Sequence, residues 1–201
     1  MSHERQGAGI PRRRPFDQPR FRRAVDELLV AAGFDLDEVH LKVTASRVAD
    51  MWRDRLLAGY DTDPVALLSE GFEDASRDLV VVRDIAVYGL CPHHLVPWRG
   101  VAHVAYLPGG QLYGFGRLAR LVDSLCHRLT YQEWFTRDVA DALVRDGSAR
   151  GAACMVRAEQ LCLILGEDRR GEERVVTSAF SGELEEDAQL RASFLQSVGV
   201  A

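Results

Sequence analysis

Two strand-forming blocks separated by two helical patterns constrain this chain more than any other feature. Residues 79–89 and 96–107 are rich in Val, Ile, Leu and Tyr, and apolar runs recur at 152–165 and 174–181. Short runs of β-branched and aromatic residues favour strands. Between the blocks, Leu118, Leu121, Val122 and Leu125 recur at helical spacing, as do Phe135, Val139, Ala142 and Leu143. Gly109 and Gly110 predict a turn into a short strand at 112–115. The order β-β-α-α-β-β predicts an α+β domain with an antiparallel sheet.

The part before residue 79 is helical in pattern. Phe21, Val25, Leu28 and Leu29 mark a helix over 18–32, and Gly33 fits its stop. A second helix begins near Thr44, with Val48, Met51, Trp52 and Leu56 on one face, and ends at Gly59. Residues 61–74 are mixed, with a short helical piece at 65–68, and a last helix is expected over 186–198. The domain plan is therefore a disordered basic arm at 1–15, N-terminal helices at 16–75 and a main domain at 76–201.

Charge and cysteine usage narrow the class. The formal net charge is −5, which argues against non-specific nucleic-acid binding. The block Arg12, Arg13, Arg14, Arg20, Arg22 and Arg23 is expected to be an arm and a solvated helix face. No apolar run reaches the roughly 20 residues that span a bilayer, and residues 1–14 lack the apolar core of a secretory signal. No membrane partner is expected, and the cytoplasm is the expected compartment. A chain of 201 residues does not need a disulfide framework there. Its four cysteines are then core residues or metal ligands.

Cys91 and His94 have ligand-like spacing at the end of a predicted strand. Zinc takes thiolate and imidazole ligands, and a catalytic site leaves one position of its tetrahedral shell open. On its own the pair is a weak signal and fits better a buried thiol beside a hydrogen-bonded histidine. Cys162 is the best candidate for a third ligand, in a run over 159–165 that reads as a strand. Cys154 lies eight positions earlier on that strand, roughly 26 Å away, so the two cannot reach one ion. Cys126 falls among apolar residues of a predicted helix and is expected in the core.

Several separated blocks, in order, resemble the GTP cyclohydrolase I family. The stretch Cys91-Pro92-His93-His94 is similar to the family's Cys-Glu-His-His segment, and Gly100 to Pro108 continues the match. Gly114-Phe115-Gly116-Arg117-Leu118-Ala119-Arg120 resembles Gly-Leu-Ser-Lys-Leu-Ala-Arg. Tyr131-Gln132-Glu133-Trp134-Phe135-Thr136 resembles Val-Gln-Glu-Arg-Leu-Thr. Leu161-Cys162, Val175-Val176-Thr177-Ser178, Arg191 and Phe194-Leu195 resemble the C-terminal part, and Thr44-Ala45-Ser46-Arg47 a Thr-Pro-x-Arg segment.

The resemblance implies the tunnelling fold, in which subunits join their sheets into a barrel, commonly as a homodecamer with sites between subunits. It implies Zn2+ on Cys91, His94 and Cys162, with His93 as catalytic acid/base. Gln132 and Glu133 fall where the family anchors guanine, and Arg117 and Arg120 where it holds the triphosphate. The implied reaction opens the imidazole ring of GTP, a purine nucleotide, at C8. Formate is released, and dihydroneopterin triphosphate forms.

Departures from the pattern qualify that expectation. Gln160 stands where the family has a second catalytic histidine, and an amide cannot shuttle protons near pH 7. Strand parity nevertheless predicts that Gln160 faces the metal. Pro92, Gly116 and Gly166 replace a glutamate, a serine and an arginine, and Trp134 replaces another arginine. Trp134 is expected either to stack on a base or sugar or to pack at a subunit contact. Arg169, Arg170 or Arg174 could supply the missing cation. The alternatives are arrest at a ring-opened formamidopyrimidine, a zinc hydrolase or deaminase for another purine or pterin with fewer phosphates, and a silent nucleotide-binding paralogue.

Overall fold

The structure, a computed structural model, describes residues 14–166 and 173–199. The expected basic arm therefore lies outside the described residues except for Arg14 and Pro15, as do Arg169 and Arg170. The chain divides into two compact units between Ala58 and Gly59.

In the first unit, α1 spans Gln18–Ala31 and α2 spans Thr44–Met51, the latter running on into a wider turn at Trp52–Leu56. The Asp17 carboxylate caps α1 by accepting from the Arg20 N–H at 3.0 Å, which satisfies an otherwise orphaned donor. The helices are joined by Phe21 against Trp52, with ring centroids 5.2 Å apart. The Gln18 amide also donates to Asp50 at 2.7 Å.

In the second unit, α3 (Pro64–Leu68) is followed by the two-residue strand β1 (Phe72–Glu73) and then β2 (Val80–Leu90), β3 (Pro97–Leu107) and the short β4 (Gln111–Leu112). Helices α4 (Phe115–Cys126) and α5 (Gln132–Arg145) follow. After them come β5 (Gly151–Gln160), the turn α6 (Leu161–Ile164), β6 (Val175–Gly182), α7 (Glu183–Glu186) and α8 (Ala188–Ser197). The main sheet is antiparallel in the order β2-β3-β5-β6, and β1 pairs with β4 separately. The expected α+β class with an antiparallel sheet is met.

Alternation along β3 divides the core. Ala102, Val104 and Tyr106 join Leu121, Val122, Phe135 and Val139 of the two long helices in one cluster. Ala105 and Leu107 join Leu184 and Phe194 of α7 and α8 in the other. Side chains two apart on a strand share a face. Each fully buried large side chain here stabilises the fold by roughly 1.5–3 kcal/mol.

The sequence places the change of domain near residue 75, but residues 59–75 belong to the second unit. Arg128 donates to the Gly59 carbonyl at 2.9 Å, Leu67 and Leu68 are buried in the helix-side core, and Phe72 pairs with Leu112. The strand expected over 112–115 is confined to Gln111–Leu112, because Phe115 already opens α4. Among the described residues, no helix is long and apolar enough to cross a membrane.

Candidate metal centre

The β2–β3 connection folds back on itself between Cys91 and Val96. The Cys91 N–H donates to the Val96 carbonyl at 3.0 Å, and the Leu95 N–H to the Cys91 carbonyl at 2.9 Å. Closing the turn puts Leu95 at φ 53°, a left-handed conformation that costs a branched residue of order 1 kcal/mol. Cys91 is buried and His94 exposed, and the turn carries both to one side.

Cys162 arrives from β5, though not as strand residue. The expected strand to 165 ends at Gln160, and the Leu165 N–H donates to the Leu161 carbonyl at 2.8 Å, closing a helical turn. The reason lies across the ladder. Trp98 pairs with Gln160, so the next partner would be Pro97, which has no N–H to continue the pairing. The turn brings Cys162 to Cys91.

The Sγ atoms of Cys91 and Cys162 and a ring nitrogen of His94 all lie within 4.8 Å of one another. Ligands around a tetrahedral zinc stand roughly 3.5–3.8 Å apart, so small side-chain rotations complete a three-ligand set. Burial pushes the Cys162 thiol up, and the neighbouring Cys91 adds to that shift. Two adjacent thiols resist joint ionisation unless a cation sits between them. The donor set therefore suits a soft divalent ion such as zinc.

His93 is exposed beside the three ligands. Its Nε2 is 2.9 Å from the Tyr131 hydroxyl, and its ring lies edge-on to that of His94, with centroids 6.0 Å apart. Gln160 follows Val156 and Ala158, two core residues on the helix-facing side of β5. Its amide donates to Gln132 Oε1 at 2.6 Å. Gln132 is only 2% exposed and donates to the carbonyls of Val156 and Val175 and to the Thr177 hydroxyl. It belongs to the frame between α5 and the sheet.

Glu133 is exposed in the first turn of α5. Arg117 donates to the Leu67 carbonyl at 3.1 Å and pairs with Glu70 at 2.7 Å. Arg120, one turn further along α4, is exposed. Trp134 meets Tyr131 edge-on at 4.5 Å. Arg174 pairs with Glu159 at 2.5 Å, and Arg99 holds the same carboxylate at 2.9 Å. Arg174 is thus already engaged, and Arg169 and Arg170 lie outside the described residues.

Two features escaped the sequence reading. Tyr131 falls within the quoted motif, but no spacing rule connects it to His93. A second group, Asp123, Cys126 and His127, also brings its ligand atoms within 4.8 Å, a legible i, i+3, i+4 pattern. Cys126 is fully buried, however, and burial pushes its thiol far up, as for the expected core cysteine. Cys154 is likewise in the core.

Residues 21–199 match the family description GTP cyclohydrolase I. The GTP cyclohydrolase 1 of Ralstonia nicotianae is 57% identical over 190 residues, covering 94% of this chain and 91% of the relative. That of Chromobacterium violaceum is 56% identical, covering 94% and 92%. That of Mycobacterium ulcerans is 43% identical, covering 90% and 91%.

Proposed function

This chain belongs to the GTP cyclohydrolase I family, and from that premise we infer that it is a hydrolase opening the imidazole ring of GTP, with zinc held by Cys91, His94 and Cys162. The observation that carries the reading is the convergence of those three side chains from a hairpin turn and a distant helical turn. When bound there, zinc supplies a Lewis acid that brings the pKa of a water toward about 7.

The chain's own residues do the rest. His93, beside the ligands, is the acid/base that delivers a proton to the departing ring nitrogen. Glu133 offers a carboxylate to the N1–H and 2-amino edge of guanine, a pattern that adenine lacks. Arg120 is the exposed cation for the triphosphate. Arg117 joins it only by releasing Glu70. Gln160 and Gln132 act as a framework pair at the rim.

The same premise suggests a tunnelling-fold barrel of several copies, commonly ten in this family. Among the described residues, the outer strands β2 and β6 each leave one edge without a partner strand in the main sheet, and edge pairing between copies would close them. We place the catalytic domain in residues 76–201, supported by segment 59–75. Cys91, Cys126, Cys154 and Cys162 are free thiols, which fits a reducing compartment, the cytoplasm.

Incubation of the zinc-loaded chain with GTP tests the reading. Formate and the absorbance of a dihydropterin are expected together. Formamidopyrimidine alone would mean that the reaction halts at ring opening. Unchanged GTP, with turnover of guanosine or GMP instead, would contradict the assignment.

A further inference from the structure

Resting on the reading that His93 handles protons in this reaction, we propose that Tyr131 is the positioning residue for His93. Its hydroxyl fixes the orientation and tautomer of the imidazole. The relationship is a hydroxyl 2.9 Å from Nε2, with ring centroids 4.8 Å apart.

Tyr131 is held from both sides. It precedes α5 in an extended conformation, φ −81° and ψ 150°, and its carbonyl accepts from the Phe135 N–H at 3.0 Å. The preceding residue, Thr130, is fully buried. Its N–H donates to the Leu90 carbonyl at 3.1 Å, and its carbonyl accepts from the Trp98 indole at 3.4 Å. Leu90 directly precedes Cys91, so this link ties the start of α5 to the base of the ligand-bearing turn. On the other side, Gln132 is anchored to β5 and β6. Trp134 braces the Tyr131 ring edge-on. The hydroxyl is thus carried on a rigid mount while His93 lies on an exposed turn.

The chemistry gives that mount a purpose. Gln160 offers an amide, and that amide is turned onto Gln132. His94 is committed to the ligand set. His93 is left as the imidazole beside the centre that can move a proton, and an unrestrained exposed histidine samples both tautomers and several rotamers. The Tyr131 hydroxyl can donate or accept, and in this proposal it takes the donor role. Nε2 therefore accepts, and the neutral ring carries its proton on Nδ1. When the ring is protonated, the hydroxyl rotates and accepts from Nε2–H. The orientation is kept in both states, and Nδ1 is the edge that Tyr131 leaves open.

The test compares zinc-loaded full-length wild type with Tyr131→Phe, which keeps the ring packing and removes only the hydroxyl. Both are labelled with 15N-histidine and read by magic-angle-spinning NMR, with His93→Gln assigning the resonance. We expect the Nδ1–H tautomer of His93 in the wild type and a mixture in Tyr131→Phe. In parallel, kcat for GTP is expected to fall about tenfold, a fraction of what acid/base catalysis supplies. KM and zinc content should stay nearly constant. An unchanged tautomer in Tyr131→Phe overturns the proposal, whatever the rate does. A wild type that leaves GTP untouched would instead sink the functional reading, and the tautomer comparison would still decide the role of Tyr131.

Discussion

Gln160 donates to Gln132 across 2.6 Å, and this contact ties the end of β5 to the first residue of α5. Gln160→His would remove the donor that a buried oxygen relies on. The expected cost is about 1 kcal/mol, seen as a melting temperature lower by roughly 2–4 °C. It would also place an imidazole two residues before Cys162. Formation of the pterin product from GTP should rise severalfold, within the range of one added acid/base group. A product spectrum and rate identical to wild type would show that the amide itself suffices.

Glu133 is exposed at the start of α5, and its proposed task is recognition. Glu133→Gln keeps the shape and loses the charge. Hydrogen bonds to a charged group are worth roughly 1.5–3 kcal/mol. KM for GTP should therefore rise between about tenfold and a hundredfold, with little change in melting temperature. An unaltered KM in steady-state assays would return Glu133 to the solvated surface.

Arg117 and Arg120 are expected to separate. Arg117→Ala removes a hydrogen bond to the Leu67 carbonyl and a pair with Glu70, so thermal unfolding should shift downward by a few degrees. Arg120→Ala should leave unfolding alone and weaken binding of GTP more than binding of guanosine. Calorimetric titration of both ligands against both variants checks this. Equal losses for GTP and guanosine in Arg120→Ala would remove it from the triphosphate.

His103 predicts a pH effect on stability away from the centre. The ladder between β2 and β3 bulges between Val82 and Ile85. The Asp84 N–H, at φ 59°, donates to His103 Nδ1 at 3.2 Å. Burial pushes the His103 pKa down, outweighing Asp84, which raises it; Arg157 and Arg83 lower it further. A depressed folded pKa means that the unfolded chain binds the proton more readily. Stability is therefore complete above the ordinary value of about 6.5 and falls as pH drops below it. Urea midpoints from pH 7.5 to 5 should decline less steeply in His103→Gln than in wild type. Parallel curves would exclude His103 as the source.

What the sequence reveals follows the range of the forces involved. The hairpins and α4 and α5 are legible because alternation and helical spacing are local signals. Cys91 and His94 are legible because one turn joins them, whereas Cys162 as their partner rests on its resemblance to the family's C-terminal block. The end of β5 at Gln160 is not legible locally, because it is imposed by Pro97 on the neighbouring strand. The engagement of Arg117 by Leu67, fifty residues away, and of His93 by Tyr131, thirty-eight away, likewise depends on tertiary packing. The Gln160 side chain shows the same limit: parity gives its face, whereas its partner Gln132 comes from a helix twenty-eight residues away.

The most direct measurement is cobalt substitution of the full-length chain, followed in the near-ultraviolet, where thiolate-to-cobalt charge transfer reports sulfur ligands. One cobalt per chain with a two-thiolate signature is predicted for the wild type, with intensity reduced in both Cys91→Ser and Cys162→Ser and unaffected in Cys126→Ser. Charge transfer that survives both Cys91→Ser and Cys162→Ser, or that disappears in Cys126→Ser, would contradict a metal centre at the hairpin turn.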